Sequence, residues 1–484
     1  MKLEKLIEGV TCHVVGNLDQ EVCGIANVDN KVVENGCYVA ICGTKTDGHN
    51  FIDNAVAGGA RVIVVEREFP KIDGVTQVVV DNSRQALSVL AANYFGNPAR
   101  DLTMIGVTGT NGKTSTTFMI RHIFESCGIC AGVVGTNGVV WKDKCVLTGL
   151  TTPDPIELHK NLAKMKEDGV SVVAMEVSAH ALDLCKTCGI VFDVAIFTNL
   201  SQDHLDYFGN MRTYASAKAK LFLPFQSKRA VVCTDNKMGC WLKENAKIPT
   251  FSFGCECADF EILSLFSSDL GQQFVLNGKN QAVNVNLPLL GKFNCLNAVG
   301  AMACADLLGI PLHESALALS TLPEIGGRFN TFKTNFGALI VVDYAHTPDG
   351  LENVLECAKE LANSRGGRLV SVFGCGGNRD ASKRPQMGAI SERIADFSIV
   401  TSDNPRYEKP GEIAEMIVSG MKKDNHTVVL QRENAIEVAI GMLGVKDVLV
   451  ISGKGVEDYI EENGQKMPYS DADTVMRILG KRER

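Results

Sequence analysis

Nowhere in the 484 residues do eighteen apolar residues follow one another, so no segment has the length and hydrophobicity that a membrane-spanning helix requires. The opening Met1-Lys-Leu-Glu-Lys-Leu-Ile-Glu8 carries acids and lacks the apolar run of a signal peptide, which leads us to expect a cytoplasmic protein with no membrane insertion. There is no basic excess either. Lys and Arg number 48 against 56 Asp and Glu, a net charge of −8, and this leaves no electrostatic footprint for nucleic acid. Internal repeats and low-complexity tracts are missing. Zinc-ribbon spacing is missing too, although the chain holds 17 cysteines: the close pairs Cys127/Cys130, Cys185/Cys188 and Cys255/Cys257 never combine into two C-x-x-C units. Others, such as Cys233, Cys304 and Cys357, lie in apolar runs. The thiols are read as small buried hydrophobes rather than as metal ligands or disulfides.

What is present is an ordinary globular composition, 45% apolar and 21% charged, in a chain too long for one hydrophobic core. Three domains are expected, at residues 1–98, 99–331 and 332–484. Apolar runs such as Cys37-Tyr-Val-Ala-Ile-Cys42, Ala60-Arg-Val-Ile-Val-Val65, Ser171-Val-Val-Ala-Met175, Val191-Phe-Asp-Val-Ala-Ile-Phe197, Leu339-Ile-Val-Val-Asp343, Leu369-Val-Ser-Val-Phe373, Phe397-Ser-Ile-Val-Thr401, Val428-Val-Leu430 and Val448-Leu-Val-Ile451 predict buried strands. They alternate with helical patterns, among them Ile156 to Glu167 with Leu158, Leu162 and Met165 on one face. Strands alternating with helices predict an α/β fold with mainly parallel sheets. In such sheets the loops at the carboxyl ends of the strands converge on one crevice.

The strongest local signal is Thr108-Gly-Thr-Asn-Gly-Lys-Thr-Ser115, between an apolar strand and a helical pattern. Gly109, Thr110, Asn111 and Gly112 can turn backbone N–H groups onto phosphate oxygens, Lys113 can reach the terminal phosphates, and Thr114 has the hydroxyl that holds magnesium. Val107 stands where a full G-x-x-x-x-G-K-T pattern has its first glycine. Glu176, at the end of the next strand but one, adds a hard oxygen for magnesium. His180 and His204 follow strands as well. His204 sits in Asn199-Leu-Ser-Gln-Asp-His-Leu-Asp206, too polar for a core position. In the first unit, Gly43-Thr-Lys-Thr-Asp-Gly-His49 follows a strand and reads equally as a ligand loop or as a plain surface turn.

Taken together, Thr108-Gly-Thr-Asn-Gly-Lys-Thr114, Glu176-Val-Ser-Ala-His180, Asn199-Leu-Ser-Gln-Asp-His204 and Gly291-Lys-Phe-Asn-Cys-Leu-Asn297, in this order, resemble the Mur ligase family over nearly the whole chain. Thr151-Thr-Pro153, Val342-Asp-Tyr-Ala-His-Thr-Pro348, Gly374-Cys-Gly-Gly-Asn-Arg-Asp380 and Asp403-Asn-Pro-Arg406 are similar to the members that extend the peptidoglycan stem peptide with meso-diaminopimelate. The resemblance implies an N-terminal α/β domain for a UDP-muramoyl dipeptide, a central P-loop ATPase domain and a C-terminal Rossmann-like domain for the amino acid. ATP would phosphorylate a carboxylate, and an amine would then attack the acyl phosphate.

It also implies the site. Lys113, Glu176, His204 and Lys218 would be catalytic, with Lys218 carbamylated and joining Thr114 and Glu176 around Mg2+. ATP would lie against Gly109 to Ser115, Asn199, Asn297, Arg328 and Asp343. The UDP-muramoyl dipeptide would meet Asn30, Thr44, Lys45, Thr46, Thr151, Thr152, Ser178 and Lys186. Diaminopimelate would meet Arg379, Asp403, Asn404, Pro405, Arg406, Gly453 and Glu457, with Arg406 gripping its second carboxylate. Without the resemblance, Lys218 and Lys220 both read as solvated helix lysines, and Asp403-Asn-Pro-Arg406 as a turn. Departures from the family pattern are Val456, Asn330, Asn30-Lys31, Leu150, Leu184 and Lys186. Rival readings are the lysine-adding ligase, a folylpolyglutamate synthetase-like ligase, and a nucleotide-dependent switch without transfer chemistry. A monomer is expected.

Overall fold

The computed structural model describes residues 1–43, 46–268, 271–279 and 281–482, and their strands form three principal sheets in chain order. The first sheet runs Cys12–Val15, Thr76–Val80, Ala60–Val65, Gly36–Val39, Ile25–Ala26, with Cys12–Val15 antiparallel to its neighbour and the rest parallel. Strand alternation decides its packing. Val62 and Val64 pack with Leu87 and Leu90 of the helix Ser83–Tyr94, whereas Ile63 and Val65 pack with Ile52 and Ala55 of the helix Ile52–Ala57. Because both faces are covered, the strand needs apolar residues at nearly every position, which is why it reads as one continuous run.

The central sheet has eleven strands. At its heart Val194–Phe197, Thr103–Thr108, Val172–Glu176 and Ala131–Gly135 lie side by side and parallel. Ile105, Val107 and Ala174 share a core with Met119, Ile120 and Ile123 of the helix Lys113–Ser126 and with the helix Lys292–Leu307. Met104, Val173 and Met175 point the other way, onto Leu158, Leu162 and Met165 of the helix Pro155–Glu167. That stripe is the one legible in the helical pattern, and it is fully buried. Antiparallel strands close both ends of the sheet: Gly138–Trp141 and Lys144–Val146 at one, Gly271–Gly278 and Gln281–Leu287 at the other. The sequence carried a period-two signal for the last of these. In Gln281-Ala-Val-Asn-Val-Asn-Leu287 the residues Val283, Val285 and Leu287 are buried and those between are exposed.

The third sheet runs Asn330–Lys333, Leu339–Asp343, Val448–Ser452, Leu369–Phe373, Phe397–Val400, His426–Val428, parallel except for its first strand. Leu339 and Val341 face the helices Pro348–Arg365, Lys383–Ile394 and Pro410–Val418, while Ile340 and Val342 face Arg432–Gly441 and Asp471–Arg482. The strand predicted at Val428–Leu430 lies two residues earlier, at the sheet edge. Beyond Val428 the two segments still share Val429 N to Val400 O (2.9 Å) and Ser402 N to Leu430 O (3.3 Å). A hairpin, Tyr459–Glu462 with Gln465–Pro468, follows the last parallel strand.

The third sheet's loops face those of the second. Arg328 Nη2 donates to Thr114 Oγ1 (2.7 Å), Asn111 Nδ2 to Asp349 Oδ2 (2.6 Å), and Gln202 Nε2 to Asp380 Oδ2 (3.0 Å). No helix among the described residues is long and apolar enough to cross a membrane.

Candidate active site

The loop Gly109–Gly112 leaves the strand Thr103–Thr108 and enters the helix Lys113–Ser126 through two glycines with positive φ, Gly109 at 152° and Gly112 at 85°. A side chain at either would be strained and would collide with a neighbour, Thr198 Oγ1 at Gly109 and Asn297 Oδ1 at Gly112. Asn199 clamps the loop from the neighbouring strand end. Its Oδ1 accepts from Asn111 N (2.9 Å), its Nδ2 donates to Asn111 O (3.2 Å), and its carbonyl accepts from Thr110 N (2.9 Å). Lys113 Nζ donates to Gly109 O (3.0 Å) and Thr110 O (2.8 Å). Burial pushes this ammonium below its usual range; Glu176 opposes the shift and Arg328 adds to it.

Glu176 ends its strand against this loop. One carboxylate oxygen accepts from Thr114 Oγ1 (2.9 Å) and Thr136 N (2.9 Å), the other from Thr136 Oγ1 (3.2 Å). Gly135 leaves room for it, since a Cβ there would meet the carboxylate. Lys218, on the helix Met211–Ala219, is buried, donates to Gly109 O (2.7 Å) and lies 4.5 Å from the centre of the Tyr214 ring. Burial, and then Lys113, hold it well below the ordinary lysine range. Two residues on, Lys220 is exposed and paired with Asp183 at 2.9 Å.

Glu176 and the Thr114 hydroxyl are adjacent hard oxygens of the kind magnesium prefers. That pair fits the ion, and a carbamate on Lys218, which donates to Gly109 O of the same loop, would be a further hard-oxygen donor.

His204 takes a left-handed backbone (φ 55°) and packs edge-on against His180, centroids 4.8 Å apart. Burial lowers it to about 3, with His180 and His346 adding to the effect and Asp203 opposing it. The ring is therefore neutral at physiological pH. Asp203 gathers His204 (3.3 Å), Lys383 (3.5 Å) and His346 (3.8 Å). Burial alone would raise its carboxyl, but His346 and Lys383 hold it well below the usual range. Asp203, His346 and Lys383 were not singled out from sequence, because nothing local ties residues so far apart.

One cleft of 520 Å³ is lined by Thr110 to Ser115, Glu176, Asn199, Asp203, His204, Asn297, Arg328, Asp343 and His346 among others, but not by Lys218. Its far end is apolar, with Phe253, Phe293, Leu296 and Val354 beside Asn236 and Asn294, a shape suited to a flat base. This end also escaped sequence reading, although Asp235-Asn236 stands just past the strand Ala230–Cys233, where a ligand loop is expected. Asp343 accepts from Phe329 N and Ala345 N, both at 2.7 Å; Arg328 stacks on Tyr344 at 4.7 Å.

Beyond Tyr344 the third sheet's loops form a charged cluster. Asp403 is buried and lies 3.8 Å from Lys454, and Gly453 leaves its carboxylate the space a Cβ would fill. Asn404 Nδ2 donates to Glu457 Oε2 (2.9 Å), and its Oδ1 accepts from Lys454 Nζ (2.9 Å). Pro405 O approaches Gly377 too closely for any side chain there. Arg406 Nη1 donates to Gly377 O (2.9 Å). Arg379 is exposed, close enough for its charge to lower His180. Lys454, missed in the sequence, supplies the cation that the acids of this cluster share.

A second cavity, 430 Å³, opens between the first and second units and is lined by Asn27, Asp29, Thr46, Arg84, Leu184 and Lys186 among others. Lys186 pairs there with Asp154 at 2.7 Å. Asn30 is exposed on the turn beside it, while Thr44 and Lys45 lie outside the described residues. Thr151 is not in this cavity but in the nucleotide-sized cleft, its Oγ1 3.1 Å from Thr136 Oγ1. Thr152 is buried and ties its loop to Glu176 O (2.9 Å), and Ser178 caps the helix Ala179–Asp183.

Comparison with known proteins agrees with this layout. Residues 31–95 match the model for the Mur ligase family catalytic domain, 107–305 that for the Mur ligase middle domain, and 327–455 that for the Mur ligase glutamate ligase domain. The chain is similar to a UDP-N-acetylmuramoyl-L-alanyl-D-glutamate–2,6-diaminopimelate ligase of Clostridium acetobutylicum, with 41% identity over 99% of each chain. Among solved structures it is similar to another ligase of that name at TM-score 0.70 and 29% identity, covering 100% of this chain and 99% of the other. It shares its fold with a MurF ligase from Thermotoga maritima solved in complex with ADP, at TM-score 0.65 and 21% identity over 95% and 98% of the two chains. With the similarity to the Clostridium acetobutylicum ligase running from end to end, the chain belongs to the Mur ligase family.

Proposed function

We propose that this chain is an ATP-dependent amide ligase that joins meso-diaminopimelate to the D-glutamyl side-chain carboxylate of UDP-N-acetylmuramoyl-L-alanyl-D-glutamate, acting as a monomer in cytoplasmic peptidoglycan-precursor synthesis. The observation that carries this reading is the continuity of the site. A phosphate cradle at Gly109 to Ser115 shares its cleft with Arg328 and Tyr344, and the charges of Glu457 and Asp403, in the cluster that holds Arg406, reach Tyr344.

A carboxylate is a poor electrophile, and transferring the terminal phosphoryl group of ATP onto it supplies a leaving group. The carboxylate oxygen bonds to phosphorus as the bond to ADP breaks; the free amine then attacks the acyl carbon, and the tetrahedral adduct collapses to amide and phosphate. Little covalent work falls to the protein, so positioning and charge neutralisation carry the catalysis. Lys113 and the helix terminus behind it hold the phosphates, Arg328 closes on them from the third unit, and neutral His204 orients the transferring group. Thr114, Glu176 and carbamylated Lys218 would hold magnesium, which when bound neutralises phosphate charge.

The dipeptide end of the UDP substrate would occupy the 430 Å³ cavity and the Thr151–Ser178 side of the cleft, with Lys186 reaching its carboxylate. Diaminopimelate differs from lysine by a distal carboxylate, and a guanidinium grips such a group with two parallel bonds. Arg406 is the residue placed to do so, which favours this substrate over lysine. The test is phosphate release and product mass with each amine in turn. Turnover is expected only with meso-diaminopimelate present; release that proceeds with lysine instead, or with no amine at all, would overturn the assignment.

A further inference from the structure

Arg406 is held on more sides than a surface arginine needs. Its backbone is left-handed (φ 53°), a conformation that costs a non-glycine residue energy unless neighbours enforce it. Here they do. Arg406 N donates to Glu461 O (3.0 Å), and Arg406 O accepts from Asn463 N (2.7 Å), so the residue is bracketed by the hairpin Tyr459–Glu462/Gln465–Pro468. Glu461 N in turn donates to Asn404 Oδ1 (2.9 Å), which locks the hairpin onto the Asp403–Arg406 loop. The side chains repeat the arrangement. Glu461 Oε2 lies 3.2 Å from Arg406 Nε, while Nη1 donates to Gly377 O. Gly376 approaches so closely that a Cβ there would lie 2.9 Å from Nη1. Among the described residues, no acceptor engages Nη2.

A guanidinium carries donors along two edges, one containing Nε and one made of the two terminal nitrogens. With a carboxylate against Nε and a carbonyl fixing one Nη1 hydrogen, the terminal edge keeps a set direction. An arginine on a flexible stem loses considerable rotamer freedom on binding, and orienting it beforehand removes part of that cost. Both side chains are largely buried, so their attraction is less screened than that of a surface pair.

We propose that Glu461 is a specificity-determining positioning residue: by holding Arg406 through its Nε side, it aims the terminal guanidinium edge at the distal carboxylate of the incoming amino acid. This rests on the reading that Arg406 grips that carboxylate. Glu461 touches no reacting atom and acts through Arg406 alone. Its effect belongs to recognition of the amine substrate, not to ATP.

The test is a double-mutant cycle on the full-length chain with meso-diaminopimelate, ATP and the UDP-dipeptide. E461A is expected to raise KM for meso-diaminopimelate about tenfold, the size of a contact worth about 1.4 kcal/mol. KM for ATP and kcat at saturating amine should stay unchanged. In an R406A background the same substitution should change KM by less than about twofold, because residues acting as a unit are non-additive. E461Q, which keeps an oxygen at the same reach, should recover part of the loss and guards against a trivial folding defect. If R406A raises KM but E461A does not, or if E461A raises it equally in both backgrounds, the role of Glu461 is overturned while the assignment of Arg406 stands. If R406A itself leaves KM unchanged, the assignment of Arg406 fails, and this role with it.

Discussion

The phosphate cradle and the cluster around Arg406 are both rich in cations, yet they balance charge in opposite ways. In the cradle, Lys113 and Lys218 donate to the neutral carbonyls of Gly109 and Thr110, and Arg328 to a hydroxyl; the charges of Glu176, Asp203 and Asp343 reach them without a direct ion pair among the described residues. Around Arg406, three of the four cations have acids of their own. Arg406 has Glu461, Lys454 has Asp403 and Glu457, and Arg432 behind them is paired with Asp471 at 2.7 Å, both fully buried. In the first arrangement the cations' direct partners are neutral, which leaves their charge free to meet a polyanion such as a nucleoside triphosphate. In the second, once the exposed Arg379 is counted, four cations face four acids, a balance that suits a zwitterion. A site can thus announce the charge of its ligand by the charge it leaves uncompensated.

If this contrast is right, removing a cation should cost stability in the cluster and activity in the cradle. Arg432→Met leaves Asp471 buried without its partner, and we expect a loss of about 3 to 5 kcal/mol of stability in denaturant unfolding. An unchanged midpoint would break the comparison on that side. Lys113→Met is the counterpart. It should lower kcat/KM on the order of 10² to 10³-fold, as removal of one preorganised charge does elsewhere, with the thermal midpoint kept or raised because a buried ammonium has gone. A variant that unfolds while retaining activity would invert the picture.

A smaller effect sharpens it. His204 stays neutral down to about pH 3 in the fold, whereas an unfolded histidine takes its proton near 6.5. Between those values the unfolded chain binds more protons, so this residue makes stability fall as pH drops from about 6.5 toward 3. His204→Asn, which tolerates the left-handed backbone, should flatten the pH dependence of the thermal midpoint in that window relative to the parent chain. Parallel curves for the two proteins would reject the assignment of a ring kept neutral in the fold. The smallest effect expected is for Lys220→Ala. Its exposed pair with Asp183 is worth at most about 1 kcal/mol, and turnover should change by less than about twofold, in contrast to its neighbour two residues back. A large loss here would mean that the helix itself, not burial of Lys218, matters.

How much of this could be seen beforehand follows from range. The cradle was legible because its parts are contiguous: glycines permit positive φ, the lysine follows, and a strand and helix flank them, all within Ile105 to Thr116. The buried strands were legible for the same reason, since alternation and continuous apolar runs are local properties. The antiparallel strands at the two ends of the central sheet were passed over, the period-two pattern of Gln281 to Leu287 being short and diluted by asparagine. Lys218 could not be told from Lys220 by any local rule. A resemblance separated them, and the fold supplies the reason, one facing Gly109 O and the other solvent.

By itself, then, the sequence determined the α/β alternation, the faces each strand and helix would bury, and the phosphate loop, because dihedral preference and hydrophobic period act between neighbours in the chain. Tertiary structure alone decided which charges meet: Asp203 with Lys383 and His346, Arg328 with Thr114, Glu461 with Arg406. Coulomb attraction and hydrogen bonding depend on distance in space, and those distances are set by the order in which strands pair and by how the third sheet's loops come to face the second.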